Sequence, residues 1–130
     1  MKTKTITKSF SNIKIKEKIL SLQPVLSLRN IVGYAAARNA RVLTDALTEY
    51  TQFEREAIIK YGTEDMDDNG RPIGTTSIAP DSEQFDAFIH EMAPLQELKQ
   101  EVSIMVVKFD EVIGHLSGEE ILGIDWMLED

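Results

Sequence analysis

The chain contains no cysteine, which excludes a disulfide framework, a thiolate metal site and a cysteine nucleophile together. Its two histidines, His90 and His115, lack a second histidine at helical metal-binding spacing and read as surface or boundary residues. No apolar run approaches the ~18–20 residues of a membrane span, and the Lys-rich start lacks the apolar stretch and small-residue cleavage site of a signal peptide. A membrane partner is therefore not expected, and the expected location is cytoplasmic. Glycine-rich phosphate loops and a Gly-x-Ser-x-Gly elbow are also missing. Carboxylates are plentiful, among them Glu119, Glu120, Asp125, Glu129 and Asp130, but no spacing marks a tuned acid and base. The expectation is a protein that is not an enzyme and uses no cofactor.

Positive charge is scarce in one half of the chain. Residues 1–60 hold 11 Lys+Arg against 5 Asp+Glu, whereas residues 61–130 hold 3 against 17, giving +6 and −14 within a net charge of −8. Such a split suits a basic arm for nucleic acid and an acidic surface for a basic partner, or two halves that pack together and offset each other. With 130 residues, 42% of them hydrophobic, one domain spanning 1–130 is expected.

The stretch from Asn30 to Tyr61 organises the chain. Val42, Leu43, Ala46, Leu47, Tyr50, Phe53, Ala57, Ile58 and Tyr61 step by three and four, the spacing of one helical face. Gly62 follows as a stop. One helix of about thirty residues would span roughly 45–50 Å, so a bend or frayed start near Gly33 is expected. Before it, Thr3–Lys8 alternates as an edge strand, with a flexible basic arm over residues 1–8 as the alternative. A short helix runs from Ser11 to about Leu22, ended by Pro24.

After Gly62, residues 63–80 are rich in turn formers and contain Asn69-Gly70, so an exposed turn or ragged hairpin is expected. A further helix opens at Pro80-Asp81 with Asp81 as cap, kinks or restarts at Pro94 and ends near Gln100. Val102–Phe109 is short, β-branched and apolar on both faces, the best strand in the chain, and Thr3–Lys8 is its expected partner. Ser117 and Glu120 form a capping box opening a terminal helix to Leu128 that carries Trp126, the only tryptophan. The fold class is α+β: mainly helical, one long central helix, and a small sheet joining the N-terminal strand to that at about 102–109.

Asp65-Met-Asp67-Asp-Asn69-Gly70 copies the first half of a calcium-binding loop, but position eight is Pro72 and the bidentate carboxylate of position twelve is replaced by Thr76, so an acidic turn without metal is expected. The candidate partner-binding residues are Arg38, Asn39 and Arg41, a polar group early in the long helix, and Trp126. The lysines at 2, 4, 8, 14, 16 and 18 could contact phosphates, yet no aromatic interleaving accompanies them.

Four pieces of sequence resemble a family of small uncharacterised phage and prophage proteins of Gram-positive bacteria. These are Arg38-Asn39-Ala40, Lys60-Tyr61-Gly62, Asp68-Asn69-Gly70-Arg71-Pro72-Ile73, and the close from Leu116 to Asp130, in which Trp126 stands where an aromatic such as Phe is usual. The resemblance covers nearly the whole chain and implies a phage origin and an α+β outline, with no activity or catalytic residue to carry over. The function expected is a non-catalytic accessory protein that binds another phage or host protein, in particle assembly or host takeover. The location expected is the host cytoplasm, with virion association as a further option. A nucleic-acid-binding regulator using the basic arm, and an acidic inhibitor of a host nucleic-acid enzyme, stand as alternatives. Oligomeric state is left open.

Overall fold

Alternating Lys, Thr and Ile at the N-terminus form a full strand in the computed structural model, which describes residues 3–130. The elements are β1 (Thr3–Ser11), α1 (Asn12–Ser21), α2 (Ile31–Ala46), α3 (Thr48–Tyr61), β2 (Thr63–Met66), β3 (Pro72–Ser77), α4 (Glu83–Glu97), β4 (Lys99–Lys108), α5 (Gly118–Gly123) and β5 (Leu128–Glu129). Single 3-10 turns lie at Gln23–Val25, Phe109–Glu111 and Asp125–Met127. The architecture is α+β, and the sheet that joins β1 to β4 is the one expected. Two compact units divide the elements: the described residues up to Leu47 with Lys99–Asp130, and Thr48–Leu98.

In the first unit the sheet order is β1-β4-β5, with β1 antiparallel and β5 parallel to β4. Thr5 faces Met105, Ile6 faces Ile104 and Lys8 faces Val102. Val102, Ile104 and Val106 therefore share one face with Lys4, Ile6, Lys8 and Phe10, and all three are buried. The core also takes Ile15 of α1 and Val32, Ala35, Ala36 and Leu43 of α2, the last four at helical spacing. The other face of β4 is open at Glu101 and Ser103 and closes only at Val107. The expectation of a strand apolar on both faces from Val102 is thus corrected, because alternation turns Ser103 outward.

Helix α1 is capped by Ser11, whose hydroxyl accepts from the Lys14 N–H at 3.3 Å. Helix α2 is capped by Asn30, whose side-chain oxygen accepts from Val32 and Gly33. The long helical stretch is not one helix bent at Gly33. Its interruption falls at Leu47, whose N–H is shared between the carbonyls of Leu43 (3.2 Å) and Thr44 (3.1 Å), a tightened last turn that closes α2. At Gly33 the helix runs on, since glycine there serves close packing instead of flexibility.

The C-terminal capping box is present: Ser117 accepts from the Glu120 N–H and Glu120 accepts from the Ser117 N–H. Its helix stops at Gly123 and not at Leu128, because Asp125–Met127 tightens into a 3-10 turn and Leu128 turns extended to pair beside Val107. That short parallel strand has no sequence signature of its own.

In the second unit β2 and β3 form the expected hairpin, irregular between Glu64 and Met66. Asp67 shapes its turn, its Oδ1 accepting from the N–H groups of Asn69 and Arg71, and Gly70 holds φ +75. Helix α4 is capped by Ser82, which accepts from the Phe85 N–H at 3.1 Å, and not by Asp81. It continues through Pro94 to Glu97 instead of reaching Gln100. Helices α3 and α4 pack on each other, with Ala57 and Met92 buried.

Candidate functional site

Asn39 was a candidate for contact with a partner, but it is 0% exposed. Its Nδ2 donates to the Met105 carbonyl at 2.9 Å, and its Oδ1 accepts from the Met105 N–H at 2.7 Å. The amide thus gives Met105 the two bonds a neighbouring strand would supply, just before β5 takes over at Val107. Asn39 is a structural clamp between α2 and β4, and its candidacy as a surface contact is corrected accordingly. Removing it by Asn39→Ala leaves the half-buried Met105 N–H and C=O without the amide, at an expected cost of about 1–3 kcal/mol. Urea denaturation measures it. A loss below about 0.5 kcal/mol would mean that water replaces the amide.

Trp126 is also engaged. Its ring stands edge-on to Phe10 (centroids 6.3 Å apart, planes at 90°), and its indole N–H donates to the Ser21 hydroxyl at 3.1 Å. The Lys18 ammonium lies 4.9 Å from the Phe10 ring centre and 5.6 Å from that of Trp126. Burial, with Lys14 adding repulsion, holds the Lys18 pKa below its ordinary value. Lys8 donates to the Trp126 carbonyl at 2.9 Å, and Lys4 pairs with Glu129 at 2.8 Å. Trp126 therefore fastens the C-terminal segment to β1 and α1. Two of the N-terminal lysines are drawn into the same contacts, which places residues 4 and 8 in the fold and not on a free arm.

Arg38 and Arg41 remain on the surface, one helical face of α2 away from Asn39. With Tyr34 and Ala37 they line a shallow groove of about 150 Å³. Arg38 and Arg41 are thus brought together, while Asn39 and Trp126 are placed elsewhere. Tyr34 was missed by sequence reasoning; its i,i+4 and i,i+7 spacing to Arg38 and Arg41 was the available signal.

The surface that sequence reasoning did not single out lies on Thr48–Leu98. This unit holds 12 Asp+Glu against 3 Lys+Arg, a net −9, while the remainder of the chain holds 10 against 11. The excess negative charge of the protein thus belongs to this unit, and the basic N-terminal segment is balanced within its own unit. Phe53, Ile59, Met66, Ile73, Ile89 and Leu98 are exposed on it, Ile59 the most at 63%. Between α3 and α4 runs a groove of about 460 Å³ with Phe53, Ala57, Pro94 and Leu95 as its apolar lining. On its rim Lys60 bonds Glu91 at 3.0 Å, and the Tyr61 hydroxyl donates to the same carboxylate oxygen at 3.3 Å. The hydrogen bond of Lys60 to Glu91, followed by its interaction with Tyr61, raises the Lys60 pKa.

The calcium-like hexapeptide is spread along the hairpin. Asp65 accepts from the hydroxyls of Thr75 (2.7 Å) and Ser77, while Asp67 is occupied by the turn N–H groups. Among the described residues no group of three or more acidic or histidine side chains is placed to hold a metal ion. Ser77, then Thr75, holds the Asp65 pKa below its usual 3.8. The folded value lies below the unfolded one, so this contribution is present above the unfolded pKa and is lost as pH falls through the folded one. Replacing Thr75 by Val and Ser77 by Ala should therefore flatten the acid limb of hairpin amide-exchange protection. An unchanged acid limb would assign that limb to other carboxylates.

No protein family, curated protein or solved structure matches this chain. Among the described residues no helix is long and apolar enough to cross a membrane.

Proposed function

We propose that the protein is a non-catalytic protein-interaction module, an accessory protein of a phage or prophage that acts in particle assembly or host takeover. One observation supports this reading above others: exposed apolar side chains and the protein's excess negative charge coincide on Thr48–Leu98. Contiguous apolar surface marks association sites, which the groove of Phe53, Ala57, Pro94 and Leu95 offers, and a surrounding acidic field favours a basic partner and speeds its encounter. The host cytoplasm or the virion would be the place of action.

Affinity purification from infected or lysogenic cells, run in parallel with the native chain and with a Phe53→Ser, Ile89→Ser variant, tests the reading. Specific recovery of a basic protein that the double variant loses supports it. Equal recovery by both chains rejects this surface as the interface.

The concentration of 12 carboxylates in one unit also favours the second reading, an acidic inhibitor of a host nucleic-acid enzyme. The two separate by substitution: an inhibitor loses its partner when carboxylates such as Glu64, Asp68 and Asp86 are neutralised, and is indifferent to the apolar changes. Nucleic-acid binding by the N-terminal segment is weakened as a reading, since Lys4 and Lys8 already hold Glu129 and the Trp126 carbonyl.

A further inference from the structure

Strand β1 ends the three-stranded sheet, so among the described residues one of its edges has no strand beside it. The residues that face this edge follow from Asn39. Met105 turns both its N–H and its C=O to the Asn39 amide, away from β1. Its opposite residue, Thr5, therefore belongs to a non-hydrogen-bonded pair and turns its own N–H and C=O to the open side. Alternation extends this to Thr7 and Ser9, and all three residues are exposed.

We propose that this edge binds a second copy of the chain, antiparallel, with Thr7 facing Thr7 across a two-fold axis, so that two three-stranded sheets join into one. The register is selected by the side chains. In it Thr5 of one copy faces Ser9 of the other, Ile6 faces Lys8 and Lys4 faces Phe10. Hydroxyl pairs across strands are favourable, and lysine stems can cover the isoleucine and the phenylalanine while their ammonium groups stay on their own chain. A shift of two residues in one direction sets Lys4 opposite Lys8, and in the other it sets Lys8 opposite Lys8. Like charges directly opposite destabilise both.

Lysines on an edge strand ordinarily discourage further pairing. Here the Lys4 ammonium is paired with Glu129 and that of Lys8 is bound to the Trp126 carbonyl, so both are turned onto their own chain. The two-fold arrangement also closes on itself, leaving no β1 edge to propagate a fibre.

Sedimentation equilibrium of the full chain, at concentrations up to the order of 100 µM, should show a monomer–dimer equilibrium. Thr7→Pro should weaken it at least about tenfold with unchanged circular dichroism, because the lost N–H points away from β4 and proline is tolerated at a strand edge. Thr7→Lys, which keeps every backbone group and places like charges opposite each other, should weaken it similarly and covers the case in which the proline disturbs folding. The chain has no cysteine, so Thr7→Cys should give a covalent dimer on mild oxidation. Directly paired Cα atoms at about 5.5 Å lie within disulfide reach. Thr5→Cys, which faces Ser9, should not cross-link efficiently. A monomer at every concentration overturns the proposal, whether the edge then stays bare or takes a foreign peptide. A dimer insensitive to both the Pro and Lys substitutions, or equal cross-linking from both cysteine positions, overturns it as well.

Discussion

Deletion of residues 1–8 is expected to abolish the cooperative thermal transition of the unit that contains β4. The deletion removes most of β1, among the described residues the only strand that pairs along the length of β4. Lys4, Ile6 and Lys8 hold the hydrogen-bonded positions opposite Val106, Ile104 and Val102. Without them those three backbones lose their partners beside a face whose side chains are 0–5% exposed in the intact protein. Each lost net hydrogen bond costs about 1 kcal/mol, and each valine or isoleucine uncovered costs up to about 1.5–3. Together these approach the roughly 5–15 kcal/mol that holds a domain folded. Differential scanning calorimetry or amide exchange on β4 provides the measurement. An unchanged melting temperature would mean that the segment is a free basic tail, and would return weight to the nucleic-acid reading.

Gly33→Ala should destabilise the protein by about 3 kcal/mol or more. On intrinsic propensity the substitution favours a helix interior by about 1 kcal/mol. Packing reverses the sign. A Cβ on Gly33 would lie 1.8 Å from the Leu28 carbonyl oxygen and 2.8 Å from its carbon, both backbone atoms that cannot rotate aside. The Leu28 N–H is tied to the Val25 carbonyl at 3.2 Å, and the Gly33 N–H to the Asn30 side chain at 3.2 Å. Relief therefore requires moving the cap or the turn that precedes it. A thermal melt should show a fall of more than about 10 °C. A melting temperature equal to or above that of the native chain would show that α2 can shift its start without penalty.

Much of the local structure was legible because it is carried by residues close together in the chain. Ser11 before α1, the Ser117–Glu120 box and Asn69-Gly70 in the hairpin each satisfy backbone groups within a few residues, so composition and spacing suffice to place them. The β1–β4 pairing was legible for another reason: only two segments combined strand propensity with length. Asp81, the expected cap of α4, gives way to its neighbour Ser82, whose hydroxyl the chain geometry brings to the Phe85 N–H.

The candidate site was less legible. Arg38, Asn39 and Arg41 look alike as a polar group in sequence, and helical phase alone turns Asn39 inward while its neighbours face out. The acidic, apolar surface of Thr48–Leu98 is hidden in the sequence because the folded unit is bounded by Thr48 and Leu98, across the boundary between the basic and acidic halves of the chain.

The sequence by itself determined the secondary elements with strong local signals, the absence of thiol chemistry and the total charge. Tertiary structure alone decided that Asn39 completes the hydrogen bonding of Met105, that Leu128–Glu129 pairs beside β4, and that Trp126 closes on Phe10, Lys18 and Ser21. The first joins residues 66 positions apart and the third carries Trp126 to Ser21 across 105, while the second rests on backbone groups of β4 left over once β1 is satisfied. Local propensity is blind to such pairings, because what selects them is the cost of leaving a buried polar group alone, and burial exists only after the chain has folded.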